Sequence, residues 1–324
     1  MSVLVTGAAG FIGAAVAARL LARGEEVIGL DSVNDYYDPS LKQQRLQTLD
    51  GRERWRFVRG DLAAEGVLDT LPSDIDRVVH LAAQAGVRYS IEAPLAYAHA
   101  NLTGHTRLLE FSRHRGVVHT VYASSSSVYG GNTGTPFSED DRTDDPVSFY
   151  GATKKANEVL SQSYARLYGL KLTGLRFFTV YGPLGRPDMA YFLFAEAIRT
   201  GRPIRLFNEG RMARDFTYVD DIAAGVVAAL DRPDRPGVSH RVYNLGNDRP
   251  QELTTMVELL ERALGQVALK ELAPMQQGDV ERTWADVSRA RDELGYAPTT
   301  RLEEGLNAFA AWYREWTGWD GRAQ

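Results

Sequence analysis

The 324-residue chain has no cysteine, and its six histidines show none of the spacings that bind a metal ion. Without cysteine there can be no disulfide bond, no thiolate nucleophile and no cysteine-based zinc site, and this composition fits a reducing compartment. Any catalysis must therefore depend on hydroxyl groups, carboxylates, lysine, arginine or a cofactor.

Positive charge and long apolar runs are also scarce. The 37 lysine and arginine residues are outnumbered by 42 acidic residues, whereas a protein that mainly binds nucleic acid needs a basic face. No segment reaches the roughly 18–20 apolar residues of a membrane-spanning helix. Arginine residues follow the first apolar stretch, whereas a signal peptide has its basic residues in front of that stretch. We therefore expect a soluble, cytoplasmic protein that binds neither nucleic acid nor a membrane.

The apolar pattern predicts strands that alternate with helices. Hydrophobic residues make up 44% of the chain and charged residues 24%, the balance of a soluble globule. Predicted strands lie at 2–5, 26–30, 54–58, 77–81, 120–123 and 170–178, and predicted helices at 11–23, 94–114 and 148–168. This alternation indicates βαβ units, and hence a doubly wound parallel sheet of Rossmann type with helices on both faces.

The pattern changes after residue 180, where a glycine- and proline-containing loop covers 182–187. Helices are predicted beyond it at 189–200, 219–230, 253–264, 287–294 and 302–316, and strands at 203–207 and 241–245. We expect two domains that are interleaved in sequence. The larger holds 1–180 plus about 216–246, and a smaller C-terminal α/β substrate domain holds about 181–215 plus 247–320.

A glycine-rich turn separates the first strand from the first helix. Gly7, Gly10 and Gly13 have a spacing that permits a tight turn and lets backbone amides approach a pyrophosphate at the helix N-terminus. Asp31 ends the second strand, where a carboxylate accepts hydrogen bonds from ribose hydroxyls and repels a 2′-phosphate. Because no basic residue occurs in the three positions that follow, NAD is favoured over NADP. A purely structural turn is the alternative.

The ends of two later strands are also compatible with a cofactor. Asp61 and Leu62 end the third strand, where an adenine edge would lie, and Leu81, Ala82 and Ala83 end the fourth. Small residues there would let a cofactor sit against the sheet. Ordinary strand-end packing explains both segments equally well.

A tyrosine and a lysine four residues apart point to acid–base chemistry. Tyr150 and Lys154 lie on one face of a predicted helix, and an ammonium near the phenol would lower the tyrosine pKa toward neutrality. Such a phenolate can take a proton from a sugar hydroxyl. The four serines at 124–127 follow a predicted strand, and one hydroxyl there can bind the same oxygen. Chance spacing and a serine-rich turn are the alternatives for each feature taken alone.

Together these motifs resemble the extended short-chain dehydrogenase/reductase family over nearly the whole chain. Within that family the sequence is most similar to UDP-glucuronate 4-epimerases. The segments that carry this closer resemblance are 31–42, 122–129, 176–183, 185–189 and 210–220.

The resemblance implies a role for each matching residue. Tyr150 is the acid/base, and Lys154 holds the nicotinamide ribose and tunes Tyr150. Ser125 aligns with the catalytic hydroxyl, but Ser127 stays open because successive serines blur the register and Ser127 would also point to the site on a pleated strand. The matching cofactor contacts are Gly7, Gly10, Phe11, Ile12, Gly13, Asp31, Asp61, Leu62, Leu81, Ala82, Ala83, Asn101, Tyr150 and Lys154.

Substrate contacts are implied in the second half of the chain. Arg214 and Arg282 match positions that hold the nucleotide-sugar pyrophosphate, and Asp279 matches a position near the uridine ribose. The carboxylate of a hexuronate, once desolvated, needs charged donors. Arg186 in the 182–187 loop is the candidate, with hydroxyl donors from Thr179 and Ser127. A solvated loop residue or a pyrophosphate contact is the alternative for Arg186.

The implied reaction is inversion at C4 of UDP-glucuronate to UDP-galacturonate through a 4-keto intermediate, with NAD tightly bound and not consumed. The resemblance also implies a homodimer formed by the helices near 94–115 and 148–168. A UDP-glucose 4-epimerase is the nearest alternative, and a non-catalytic NAD-binding module is another. A decarboxylase or 4,6-dehydratase would carry acidic side chains just after the catalytic hydroxyl, where this chain has Ser126 and Ser127.

Overall fold

The centre of the molecule is a parallel β-sheet. A computed structural model describes residues 1–233, 238–275 and 280–321. Its strands are β1 (Ser2–Thr6), β2 (Val27–Asp31), β3 (Trp55–Arg59), β4 (Ile75–His80), β5 (His119–Ser125), β6 (Leu172–Phe177), β7 (Thr179–Tyr181), β8 (Ile204–Phe207), β9 (Ala213–Arg214), β10 (Phe216–Tyr218), β11 (His240–Leu245), β12 (Gln251–Glu252), β13 (Lys270–Ala273) and β14 (Arg282–Thr283). Seven strands form the central sheet in the order β3-β2-β1-β4-β5-β6-β11, and every neighbouring pair is parallel. The predicted doubly wound sheet is confirmed.

Helices connect and cover these strands. They are α1 (Phe11–Ala22), α2 (Pro39–Gln47), α3 (Tyr89–Glu92), α4 (Pro94–Tyr97), α5 (Gly104–Arg115), α6 (Phe149–Tyr168), α7 (Ala190–Arg199), α8 (Val219–Leu230), α9 (Leu253–Leu264), α10 (Ser288–Leu294) and α11 (Leu302–Thr317). In the part of the chain that the structure describes, no helix is both long enough and apolar enough to cross a bilayer.

Strand β1 shows why the sheet needs cover on both faces. All five of its residues are buried. Val3 and Val5 pack into a cluster with residues of α1 and α8, whereas Leu4 joins a different cluster with Leu108 and Phe111 of α5. Because successive side chains of a strand point to opposite faces, an unbroken apolar run fits a strand that is covered on both sides.

A second hydrophobic core lies outside the sheet and is rich in aromatic side chains. It combines residues of α7, α9 and α11, with Phe192, Phe309 and Tyr313 in mutual ring contact. Ile204 of β8 joins the same cluster. This separate core supports the expected substrate domain, although the boundaries at 181–215 and 247–320 stay a prediction.

Two elements differ from the sequence-based expectation. Helix α2 was not predicted, although Asp38 caps its start by accepting the Ser40 amide at 2.8 Å and Pro39 occupies its first turn. The helix predicted over 94–114 instead contains a wide π-helical segment, Ala98–Thr103, between α4 and α5. Within that segment the Asn101 carbonyl accepts a hydrogen bond from Asn157 of α6 at 2.8 Å, so the wider turn serves a tertiary contact.

Candidate active site

A cavity of about 480 Å³ opens at the carboxyl ends of the parallel strands. Loops at this edge of a doubly wound sheet are where such folds bind ligands. The predicted residues that line the cavity are Gly7, Gly10, Phe11, Ile12, Gly13, Asp31, Asp61, Leu62, Leu81, Ala82, Ala83, Ser125, Ser127, Tyr150, Lys154, Thr179, Arg186 and Arg214. The fold therefore brings most of the predicted cofactor and substrate contacts to one surface.

Two predicted residues that the structure describes, Asn101 and Arg282, are not among the lining residues. Asn101 is buried behind the wall, where its side chain bonds the Gln84 amide at 2.8 Å and the Gln84 carbonyl at 3.1 Å. Arg282 is exposed, and its guanidinium lies 3.0 Å from the Glu252 carboxylate. Asp279 lies outside the described residues. Direct ligand contacts of these residues stay predictions.

The glycine-rich turn is packed so closely that side chains cannot be added at two of its positions. Gly7 has a φ of +74°, and a Cβ there would lie 2.6 Å from the Ala82 nitrogen. A Cβ on Gly13 would lie 2.0 Å from the Gly7 oxygen. Helix α1 starts directly after Gly10 with no side-chain cap. Its first amides can thus approach a phosphate closely, as the sequence predicts.

Asp31 stands at the end of β2 beside this turn. Its carboxylate accepts hydrogen bonds from the Ala9 amide at 3.0 Å and the Val33 amide at 2.8 Å. A carboxylate has further lone pairs, so it can still accept hydrogen bonds from ribose hydroxyls. Lys42 also lines this end of the cavity and donates to the Asn34 carbonyl at 2.7 Å. Burial lowers the pKa of Lys42, and the negative charge of Asp31 acts in the opposite direction. The preference for NAD therefore depends on Asp31 itself, since a basic residue does lie nearby.

Helix α6 carries Tyr150 and Lys154 one turn apart. Lys154 is buried, and its ammonium donates to the Ala123 carbonyl of β5 at 2.9 Å. Burial lowers the pKa of Lys154 to about 8. The lysine therefore fixes α6 against the end of β5, close to the serine run.

The pKa of Tyr150 moves in the opposite direction to the one predicted. Desolvation of the phenol raises its pKa, and this effect outweighs the opposing hydrogen bond with Ser125 and the positive charge of Arg186. The Lys154 ammonium donates to the Ala123 carbonyl. The expected fall of the Tyr150 pKa toward neutrality is therefore not found, because burial of the phenol raises that pKa.

Strand β5 ends within the serine run. Ser125 is the last residue of the strand, and Ser126–Tyr129 form a short 3-10 helix. The expectation that Ser127 lies on a pleated strand is therefore wrong. The tight turn nevertheless brings the Ser127 hydroxyl to within 3.2 Å of the Ser125 hydroxyl. Both line the cavity, and Ser125 is the one that hydrogen-bonds Tyr150.

Arg186 lines the cavity and pairs with an acidic residue that was not predicted from the sequence. Its Nε lies 3.0 Å from Oδ1 of Asp188, and its Nη2 lies 2.5 Å from Oδ2. The hydroxyl of Tyr36 donates to the same carboxylate at 3.2 Å. Arg186 and Tyr150 are close enough for each to influence the other's pKa. The arginine is thus a cavity residue beside the phenol.

The residues that were missed come mostly from one stretch, 36–45. Tyr36, Lys42 and Arg45 all contribute to the cavity or its support. The available signal was the Asp38–Pro39 helix start, which would have placed Lys42 and Arg45 on a short helix next to the glycine-rich turn. Their partners lie far away in sequence, so the pattern alone could not assign them roles.

Comparisons with known proteins identify a family and several similar proteins. Residues 3–246 match the sequence model of the NAD dependent epimerase/dehydratase family. UDP-glucuronate 4-epimerase 3 of Arabidopsis thaliana is 51% identical over 328 residues, which cover 96% of this chain and 76% of the relative. UDP-glucuronic acid 4-epimerase from Bacillus cereus, solved in complex with UDP-glucuronic acid and NAD, superposes with a TM-score of 0.92 at 36% identity over 98% of this chain and all of its own. MoeE5, solved with UDP-glucose and NAD, has a TM-score of 0.87 at 35% identity over 98% of this chain and 100% of its own.

Proposed function

The chain belongs to the NAD-dependent epimerase/dehydratase family, and we propose that it is an enzyme that inverts C4 of UDP-glucuronate to give UDP-galacturonate. The observation that carries the choice of substrate is the position of Arg186 beside Tyr150 on the cavity wall. It places a cation next to the phenol that would act on the sugar. A hexuronate differs from a neutral hexose by the carboxylate that such a cation can bind.

The residues present fit NAD as the cofactor. The positions of Gly7 and Gly13 leave no space for a Cβ, and Asp31 faces the cavity at the end of β2. The glycine-rich turn would hold the pyrophosphate, Asp31 the adenosine ribose, and Lys154 the nicotinamide ribose. When bound, NAD supplies a hydride acceptor and donor, and its nicotinamide cation adds the positive charge that stabilises a phenolate.

The chain's own residues move the proton and hold the sugar. Tyr150 takes the proton of the 4-hydroxyl group while the hydrogen on C4 leaves as hydride, and Ser125 hydrogen-bonds the same oxygen. The 4-keto sugar turns over in the cavity, hydride returns to the opposite face of C4, and Tyr150 returns the proton. Substrate and product have the same composition, so no net oxidation occurs and NAD is not consumed.

The keto intermediate would be a β-keto acid, which loses carbon dioxide readily. A carboxylate paired with Arg186 keeps its negative charge stabilised, which opposes the flow of electrons out of that group. The positions after Ser125 are Ser126 and Ser127, so no acidic side chain stands there to promote a different second step. These features favour epimerisation over decarboxylation or dehydration.

Replacing Arg186 by alanine is expected to separate the two epimerase hypotheses. A hydrogen bond to a charged group contributes about 1.5–3 kcal/mol, so kcat/KM for UDP-glucuronate should fall about 10- to 150-fold. Activity on UDP-glucose should change little. Each sugar nucleotide is incubated separately with the variant and the products are identified by NMR.

The matched control is Arg142→Ala, because Arg142 pairs with Asp144 at the same two-residue spacing but lies outside the cavity. It should leave both activities intact. An equal loss on both substrates in Arg186→Ala would assign Arg186 to the pyrophosphate. A wild-type protein that prefers UDP-glucose would overturn the hexuronate assignment and favour a UDP-glucose 4-epimerase. UDP-glucose is also the sugar nucleotide bound in the MoeE5 structure.

We also propose a homodimer formed by α6. One stripe along α6 consists of exposed or half-buried residues with small or apolar side chains: Ala152, Ala156, Val159, Ser163 and Leu167. Val159 is 57% exposed and Leu167 is 69% exposed. An apolar stripe of this kind fits a second copy of itself about a twofold axis, where the two α6 helices would pack together.

The substitution Val159→Glu is expected to convert the dimer into a monomer, because two buried carboxylates would then face each other. Sedimentation velocity measures the change in mass. The control is Leu269→Glu, which introduces the same charge at another exposed apolar residue, 62% exposed and away from α6. A dimer that persists in Val159→Glu, or one that dissociates only in the control, would exclude α6 as the interface.

A further inference from the structure

The salt bridge between Arg186 and Asp188 occupies the arginine that is proposed to bind the substrate carboxylate. Two guanidinium nitrogens, Nε and Nη2, are engaged by the two oxygens of Asp188. A planar guanidinium has two edges that can bind a carboxylate through two hydrogen bonds, and Asp188 occupies the one that includes Nε. A substrate carboxylate that takes the same edge must therefore displace Asp188.

The backbone just before Arg186 is held by hydrogen bonds. Replacement of Asp188 by a substrate carboxylate therefore has to occur through movement of side chains. Arg45 is completely buried, and its guanidinium donates to the carbonyls of Leu184 at 2.8 Å and Gly185 at 2.9 Å. A third hydrogen bond reaches the Ala9 carbonyl of the glycine-rich turn at 3.2 Å. The residue before Arg186 is thereby fastened to the cofactor-binding half of the site.

Asp188 keeps other contacts when it releases Arg186. The Tyr36 hydroxyl donates to its Oδ2 at 3.2 Å, and the Asp188 side chain is 31% exposed. An acidic group that keeps one hydrogen bond and contact with solvent loses little when a partner leaves. The Arg186 side chain, 23% exposed, would by contrast be left with an uncompensated charge.

We propose that Asp188 is an exchangeable counter-ion of Arg186, displaced by the carboxylate of a hexuronate substrate and left in place by a neutral sugar. This inference rests on the proposed function. It gives Asp188 two consequences for the reaction. It competes with the substrate carboxylate, which weakens binding of UDP-glucuronate, and it neutralises Arg186 again whenever that carboxylate is released, as it must be when the keto sugar turns over.

The proposal is tested by Asp188→Asn, which preserves the shape of the side chain and removes its charge. Binding is measured by calorimetry in the Tyr150→Phe background, so that turnover does not interfere. We expect UDP-glucuronate to bind about tenfold more tightly, since a weaker amide acceptor then competes for Arg186, and UDP-glucose to change less than about twofold. In the enzyme with Tyr150 intact, KM and kcat for UDP-glucuronate should both fall.

Two controls fix the origin of the effect. Asp144→Asn removes the same charge from an exposed arginine pair outside the cavity and should leave binding unchanged. Adding Arg186→Ala to Asp188→Asn should abolish the gain in affinity. Asp188→Ala should reproduce the gain if the asparagine variant folds poorly.

Unchanged or weaker binding of UDP-glucuronate in Asp188→Asn would overturn the proposal and leave Asp188 as a support for Arg186. Equal tightening for both sugars would also overturn it, because the effect would then act on the UDP group. Failure of the proposed function shows up separately, as a wild-type enzyme that does not epimerise UDP-glucuronate, whereas the counter-ion proposal is judged on binding alone.

Discussion

Replacing Tyr150 by phenylalanine is expected to abolish epimerisation while NAD and the sugar nucleotide still bind. The phenol is the group that hydrogen-bonds Ser125 and lies beside Arg186 on the cavity wall. Phenylalanine keeps the ring and its edge contact with Tyr97 at 6.1 Å between centroids, so the packing should survive. Removal of a positioned proton acceptor typically costs about 10²–10⁴-fold in rate. Turnover is followed by NMR, and bound NAD is measured after denaturation of the purified variant.

The matched control is Tyr164→Phe, which makes the same change on the same helix outside the cavity, where the hydroxyl interacts with Glu110. Its turnover should equal that of the wild type. Near-normal turnover in Tyr150→Phe would remove Tyr150 from the mechanism. Loss of bound NAD from that variant would mean that the phenol supports the cofactor site, and not only the proton transfer.

The sequence was sufficient to predict the cavity residues that lie at the carboxyl ends of strands. In a parallel sheet the carboxyl ends of β1, β2, β4 and β5 meet at one edge, so Asp31, the alanines after β4 and the serines after β5 had to converge. Tyr150 joins them because α6 packs against β5 through Lys154. Periodicity and motif spacing contain this information.

The remainder depends on contacts between distant parts of the chain. Tyr36 and Asp188 are 152 positions apart, and Arg45 and Leu184 are 139 positions apart. No local pattern indicates such pairs. The direction of the Tyr150 pKa shift was also not predicted, because it depends on how deeply the folded chain desolvates the phenol.

A buried ion pair fixes the register of α6 against the sheet. Tyr150, Lys154 and Glu158 follow one another at intervals of one helical turn. Both oxygens of Glu158 accept hydrogen bonds from Arg176 of β6, at 2.8 and 2.9 Å, and one also accepts the Ser124 hydroxyl at 2.7 Å. The two charged side chains are only 4% and 5% exposed. Glu158 therefore holds the residue next to Ser125, while Lys154 holds Ala123.

The substitution Glu158→Gln is expected to lower the free energy of unfolding by about 3–5 kcal/mol, because it leaves the Arg176 charge buried without a partner. Turnover should also fall, since the strand end that presents Ser125 is no longer fixed to α6. The loss is measured by urea denaturation.

The stabilisation that the Glu158–Arg176 pair contributes should depend on pH. Burial raises the pKa of Glu158, but the hydrogen bonds and charge of Arg176 outweigh burial and hold that pKa below its usual value. The stabilisation is then complete above the unfolded-state pKa of about 4.3 and is lost as the pH falls through the lower folded-state value.

Two further variants separate charge burial from loss of contacts. Glu158→Gln combined with Arg176→Met removes both charges, so most of the lost stability should return. Glu110→Gln breaks a solvent-exposed pair with Arg113 and should cost less than about 1 kcal/mol. If Glu158→Gln costs no more than Glu110→Gln, the buried pair does not hold α6 in place, and the position of Tyr150 would have to depend on Lys154 and the surrounding apolar packing alone.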